Sequence, residues 1–191
     1  MQLHVVRHGQ TDYNLQHRYQ GAVETDLNAT GIAQARALVD TLPAGIEALI
    51  SSPMRRTLQT AAPLAEHLGL EIETMDQFRE RSLGIFEGMT QEQIEAEHPE
   101  LWRQKITRQF LTAPPEGESI YAVLRRVRHG LAELARRHAD KNAVALIAHG
   151  FVGRAIWGLY NHPANDDFFA YQLQNGACAT YSLTTDTFPA L

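Results

Sequence analysis

Cysteine is nearly missing from this 191-residue chain: Cys178 stands alone, so an internal disulfide is excluded and a reducing, cytoplasmic compartment is expected. No apolar run approaches the ~20 residues that a membrane span needs, and the first strand-like segment begins at the N-terminus, so neither a membrane partner nor a signal peptide is expected. Excess positive charge is lacking too. A formal net charge of -5 gives no global reason to expect nucleic acid, and any positive charge that matters should be local to a pocket. His4, His17, His67, His98, His129, His138 and His162 show no spacing that suggests a metal site, and neither a metal nor another cofactor is expected. Repeats, low-complexity tracts and a linker are also absent. With 44% hydrophobic residues, one domain with a substantial core is the expectation, and Cys178 reads as a small buried hydrophobe within it. Nothing in the sequence fixes the oligomeric state.

What is present is a set of short apolar runs that end in polar chemistry. Leu3 to Val6 runs out into Arg7-His8-Gly9-Gln10-Thr11, which places a nucleophile beside a fixed cation, and Gly9 reads as leaving room for an ester. Neutral imidazole attacks phosphorus near pH 7, and an adjacent guanidinium neutralises the oxygens it approaches. Ala143 to Ala148 ends the same way, in His149-Gly150. Between them, Ala48 to Ile50 leads into Ser51-Ser52-Pro53-Met54-Arg55-Arg56, where Pro53 suits a first helical turn and the arginines lie near its N-terminus. Phe78 to Gly88 sets Glu80 just past another apolar stretch as a proton donor. Open α/β sheets bind ligands outside the carboxyl ends of their strands, and these residues fall there.

Helices are expected over Ala29 to Leu42, Pro53 to Leu68, Thr90 to Glu97 with a Thr90/Gln93 capping box, Ser119 to Arg137, and Phe151 to Tyr160. Strands precede several of them, which argues a mainly parallel sheet covered on both faces, with Ala177 to Leu183 as an edge strand. Residues 89–118 break the rhythm and read as a helical excursion over the active-site mouth, where substrate choice is made. Trp102, Phe110 and Leu111 within it either contact an apolar leaving group or hold the excursion down. Arg125, Arg126, Arg128, Arg136 and Arg137 lie opposite the apolar stripe of one helix and read as a solvated face.

These stretches, in this order, resemble the histidine phosphatase superfamily, the phosphoglycerate mutase-like proteins, over most of the chain. The family pattern Arg-His-Gly-x-Thr-x-x-Asn falls on Arg7, His8, Gly9, Thr11 and Asn14 and continues through Arg18, Gln20-Gly21, Leu27, Gly31 and Gln34-Ala35. Its Ser-Pro-Leu-x-Arg-Ala-x-Gln-Thr-Ala block falls on Ser52 to Ala61, which singles out Arg56 rather than Arg55 for phosphate binding. Its Glu-x-x-x-Gly-x-x-Glu-Gly block falls on Glu80, Gly84, Glu87 and Gly88, and its Pro-x-Gly-Glu-Ser segment on Pro115, Gly117, Glu118 and Ser119. Where the family commonly reads Asp-x-Pro-Leu-Thr, this chain has Glu24-Thr25-Asp26-Leu27-Asn28, and Asn28 is able to cap the helix that follows.

The resemblance implies a three-layer α/β/α sandwich and a single domain over 1–191. It also implies a metal-independent phosphomonoesterase acting on small phosphate esters. In that reading His8 forms a phosphohistidine, while Arg7, Arg56 and His149, assisted by Asn14, surround the phosphoryl oxygens. Glu80 protonates the leaving alkoxide and then deprotonates water. Gln20, Gly21 and Gly150 line the pocket. Two alternatives stand beside it: a cofactor-dependent phosphoglycerate mutase, and a non-catalytic module that binds phosphorylated ligands. The mutases of the family usually carry a longer insertion after the Glu motif and a C-terminal tail, and the chain is short in both places.

Overall fold

The computed structural model describes residues 1–188. In chain order the elements are β1 (Gln2–Arg7), α1 (Asp12–Leu15), α2 (Ala29–Thr41), β2 (Ala48–Ser51), α3 (Arg55–Leu68) and β3 (Ile72–Thr74), followed by α4 (Gln91–Glu97), α5 (Pro99–Arg103), α6 (Ile120–Arg137), β4 (Ala143–Ala148), α7 (Gly150–Asn161), α8 (Asn165–Ala170) and β5 (Cys178–Ser182). The five strands form one sheet in the order β3-β2-β4-β1-β5, parallel except for β5, which runs antiparallel to β1 at the edge.

β4 is buried at all six positions because both of its faces are covered, which is why it reads as a continuous apolar run rather than an alternation. On one side Leu3, Val5, Val144 and Leu146 pack with Val127 and Leu131 of α6 and Val152 and Ile156 of α7. On the other, Val6, Leu49, Ala145 and Ile147 pack with Leu38 of α2 and Ala61 and Leu64 of α3. The result is the three-layer α/β/α sandwich, with the sheet as the middle layer. A smaller core of Phe86, Ile94 and Ile106, backed by Trp102, gives residues 89–118 a footing of their own.

Register places the chemistry. Pairing of Arg7 with Ala148 makes β1 and β4 end together, and the His8 amide donates to the Ala148 carbonyl at 3.0 Å, so His8 and His149 emerge side by side. Ser52 continues β2 by one further bond, its amide to the Ile147 carbonyl at 2.9 Å. That bond delays α3, which starts at Arg55 with Met54 as its N-cap. Pro53 therefore lies in the bend before the helix, not in its first turn as its sequence position suggested.

Two other expectations are corrected here. Cys178 is exposed, because it opens an edge strand whose alternate side chains face outward. Gly9 does not make room for an ester. A Cβ on Gly9 would sit 2.4 Å from the Gly31 carbonyl oxygen, and one on Gly31 would sit 2.1 Å from the Gln10 oxygen. The loop after β1 and the first turn of α2 thus meet backbone to backbone, a contact that two glycines permit and a methyl group would block. Asn28 caps α2 as expected, accepting from the Gly31 amide at 2.9 Å.

Candidate active site

His8 follows β1 directly, is 2% exposed, and is held at both ends. Its Nδ1 lies 2.7 Å from the Gly9 carbonyl oxygen, which can only accept, so Nδ1 carries the ring proton and Nε2 keeps its lone pair. Its backbone carbonyl accepts from Asn175 Nδ2 at 2.9 Å, and the next amide, that of Gly9, donates to Thr60 Oγ1 at 3.0 Å. Burial, followed by the charges of Arg56 and Arg7, holds the imidazole well below its ordinary pKa, so it is neutral.

His149 stacks edge-on against His8 with ring centroids 5.3 Å apart. Its Nδ1 accepts from Arg56 Nε at 3.2 Å, which puts its proton on Nε2, 2.8 Å from Ser52 Oγ. Burial, then the Arg56 charge, keeps this ring neutral as well. Arg56 itself is fully buried, donating to the Gly21 carbonyl at 3.0 Å and the Val23 carbonyl at 2.9 Å, and so carries the loop of Gln20 and Gly21.

Two buried neutral histidines have a thermodynamic consequence. An unfolded chain binds protons on both near pH 6.5 and the folded one does not, so their contribution to stability is present above that pH and is lost as pH falls below it. Each depressed group costs about 1.4 kcal/mol per pH unit once its unfolded counterpart is fully protonated, and about 1 over the first unit below 6.5, so roughly 2 kcal/mol should be lost there for the pair. Urea unfolding at neutral and mildly acidic pH measures this, and a free energy that stays level would contradict the neutral pairing.

A cavity of about 380 Å³ opens above His8 and is lined by Arg7, Asn14, Gln20, Gly21, Glu80 and Gly150 as well. Seven of the nine residues singled out from the sequence thus share one wall system. Arg56 and His149 are the other two, and they lie one layer beneath it. Arg7 donates through Nη1 to the Leu173 carbonyl at 2.9 Å, while its buried Nε has no hydrogen-bond partner among the described residues. Asn14 accepts through Oδ1 from the Thr11 amide and from Asn175 Nδ2, which ties α1 to the His8 loop. Gln20 donates to Thr11 Oγ1 at 3.1 Å. Glu80 is fixed by two amides, that of Arg81 at 2.9 Å on Oε1 and that of Phe151 at 3.2 Å on Oε2; the latter lies in the first turn of α7, the positive end of that helix. Among the described residues, no group of three or more His, Cys, Asp or Glu side chains is placed to hold a metal ion.

Sequence reasoning missed several contributors. Asn175 orients both His8 and Asn14, and its one trace in the sequence is the Asn175-Gly176 turn before β5. Arg126, read as part of a solvated face, is instead half-buried. It donates to the carbonyls of Gln77 at 2.8 Å, Arg79 at 2.7 Å and Glu80 at 3.2 Å, and grips both oxygens of Glu118 at 2.9 and 2.8 Å. Burial alone would raise the Glu118 carboxyl, but Arg126, together with the Ser82 amide and the Arg81 charge, holds the group below the ordinary carboxylate range. Helical phase exposed this arginine in the sequence; the loop of residues 76–80, folded back against α6, is what covers it. Arg126→Ala takes this donor from three carbonyls and leaves the half-buried Glu118 carboxylate with the Ser82 amide alone. The expected result is a loss of about 2–3 kcal/mol in stability and a roughly tenfold or larger fall in kcat, with partial recovery in Arg126→Lys. Steady-state kinetics beside urea unfolding checks this, and an unchanged kcat would remove Arg126 from the positioning of Glu80.

A neutral buried imidazole with a free Nε2, flanked by arginines and a hydrogen-bonded carboxyl at the strand ends of an α/β sandwich, defines an enzyme of phosphoryl transfer. The chain belongs to the histidine phosphatase superfamily (branch 1), whose model matches residues 3–190, and within it the enzyme is a histidine-type phosphatase. It is 39% identical over 157 residues to glucosyl-3-phosphoglycerate phosphatase of Mycobacterium tuberculosis, covering 76% of this chain and 69% of the relative. It is 32% identical over 158 residues to phosphoserine phosphatase 1 of Hydrogenobacter thermophilus, covering 82% and 74% respectively. The solved complex of mycobacterial glucosyl-3-phosphoglycerate phosphatase with VO3 superposes with a TM-score of 0.85 at 32% identity, over 95% of this chain and 90% of that one. Among the described residues, no helix is long and apolar enough to cross a membrane.

Proposed function

We propose that the chain is a metal-independent phosphomonoesterase that hydrolyses small phosphate esters through a phosphohistidine on His8. The observation that carries this reading is the bond from His8 Nδ1 to the Gly9 carbonyl, since it fixes the tautomer whose lone pair belongs to Nε2. In the first step Nε2 attacks phosphorus, the P–N bond forms, and the bond from phosphorus to the ester oxygen breaks. Glu80 gives its proton to the departing oxygen. In the second step water attacks the same phosphorus, Glu80 takes the proton back, and the P–N bond breaks to release phosphate and neutral His8.

Arg7 offers its unpartnered Nε to the phosphoryl oxygens from the cavity wall, and Asn14 lies beside it. Arg56 and His149 act from below: Arg56 supplies the buried charge and His149 orients its guanidinium. Gln20, Gly21 and Gly150 shape the wall, and residues 89–118 are the part of the single domain that covers the mouth. Relatives that are phosphatases of glucosyl-3-phosphoglycerate and of phosphoserine support a small ester as substrate. The single cysteine supports a cytoplasmic location.

The direct test is to quench turnover in base, with chelator present, and to weigh the peptide that carries His8. A phosphoryl adduct on His8 is the expected result, and turnover without one would overturn the covalent route. Isomerisation that depends on a bisphosphorylated primer, with little free phosphate, would identify a mutase instead. Binding of esters without either reaction would identify a binding module.

A further inference from the structure

The cavity holds more positive charge than one phosphoryl group uses. Beyond Arg7, three further guanidinium groups line it: Arg81, Arg108 and Arg154. Arg81 is 2% exposed, with Nε fixed on the Glu118 carbonyl at 2.9 Å and Nη1 on the Thr107 carbonyl at 2.7 Å, yet its buried Nη2 has no partner. Two bonds hold that donor in place and none of the described residues accepts from it, which is a costly arrangement unless a ligand does. Among the described residues, Arg154 donates only through Nε, to the Tyr171 carbonyl at 3.0 Å. Two phenyl rings carry the cluster: Arg81 lies 5.0 Å and Arg154 5.6 Å from the Phe151 centroid, and Arg108 lies 5.3 Å from that of Phe169.

Like charges crowd here. Burial first, and then the charges of Arg108 and Arg7 against the opposing pull of Glu80, lower the affinity of Arg154 for its proton. Among the described residues, Glu80 is the one carboxyl in the cavity wall, and both of its oxygens already accept backbone amides. The wall therefore sets three guanidinium groups and Arg7 against the single carboxyl of Glu80, with Glu118 behind Arg81, so positive charge is in excess.

We propose that Arg81, Arg108 and Arg154 form a subsite for a second anionic group, a carboxylate or a phosphate carried on the alcohol part of the ester. Preferred substrates are then small phosphate monoesters with a second negative charge close to the ester oxygen. The planar forks of arginine suit either oxyanion, and the phenyl rings fix the guanidinium planes without competing for their donors. The proposal rests on the phosphatase reading of His8 and adds the class of leaving group to it.

Two substrate pairs test it. 3-Phosphoglycerate and glycerol 3-phosphate differ only by a carboxylate in place of a hydroxymethyl group; fructose 1,6-bisphosphate and fructose 6-phosphate differ by a second phosphate. The expected kcat/KM ratio favours the anionic member of at least one pair by about ten- to a hundredfold, the scale of a lost charge-assisted hydrogen bond, and the preferred pair tells carboxylate from phosphate. Arg154→Gln should carry that ratio most of the way to one. Arg108→Ala, at an exposed position where folding is not at stake, should reduce it in the same direction. Equal rates within both pairs, or a ratio that neither substitution changes, would overturn the subsite and leave the phosphatase reading intact. Absence of phosphate release from all four esters would sink the phosphatase reading, and the subsite with it.

Discussion

Replacing His8 with alanine is expected to lower the rate of phosphate release by at least about ten thousandfold, because the nucleophile leaves while the arginines that bind the ester stay. Arg7 is held by the Leu173 carbonyl and Arg56 by the Gly21 and Val23 carbonyls, none of which depends on the imidazole side chain. Ester binding should therefore survive, and the variant should trap ligand without turning it over. Circular dichroism and unfolding keep the result interpretable, since removing a buried ring also opens a small void, with a stability cost of a few kcal/mol at most. His8→Asn, close in shape, should be equally inactive. A variant retaining a tenth of the wild-type rate would mean that phosphate is passed directly to water.

Glu80→Gln is the second large effect, with an expected fall in kcat of about a hundred- to ten-thousandfold on alkyl esters, the range attributed to a lost general acid. Geometry sharpens the expectation. Each oxygen of Glu80 accepts from an amide, Arg81 at 2.9 Å and Phe151 at 3.2 Å, and a carboxamide has an acceptor for only one of them. Its NH2 end must then face a second donor, most tolerably on the longer Phe151 side, so a modest loss of stability should accompany the kinetic defect. The diagnostic is the leaving group. An aryl ester, whose phenolate departs without a proton, should lose much less of the phosphorylation step than an alkyl ester does. Equal losses on both would mean that Glu80 acts through structure rather than through its proton.

How much of this was legible in the sequence depended on distance along the chain. Arg7 and His8 were readable because strand, turn and nucleophile are consecutive, and His149 because β4 repeats that arrangement. The sandwich was readable because β4 is a pure apolar run and α6 a clean amphipathic stripe. Asn175 was not, since it reaches His8 across 167 positions through an amide that any surface asparagine also carries. Arg126 was misread because helical phase reports which side of α6 faces the sheet and says nothing about a loop that folds over its other side. Arg81 and Arg154 look like ordinary charges until the cavity places them around Phe151. Gly9 was assigned to the ligand because it stands next to the nucleophile, whereas its real neighbour is Gly31, 22 positions on, which only the packed backbone reveals.

Arg81, the residue that follows Glu80, bonds the carbonyls of Thr107 and Glu118, and Arg126 ties Glu118 back to the carbonyl of Glu80. Glu80 is therefore riveted to the far half of the segment that lies outside the βα rhythm. On the proposed mechanism, sequence drift in that segment would adjust turnover and selectivity together, so descendants of this scaffold that acquire a new leaving group would have to re-seat Glu80 in the same move.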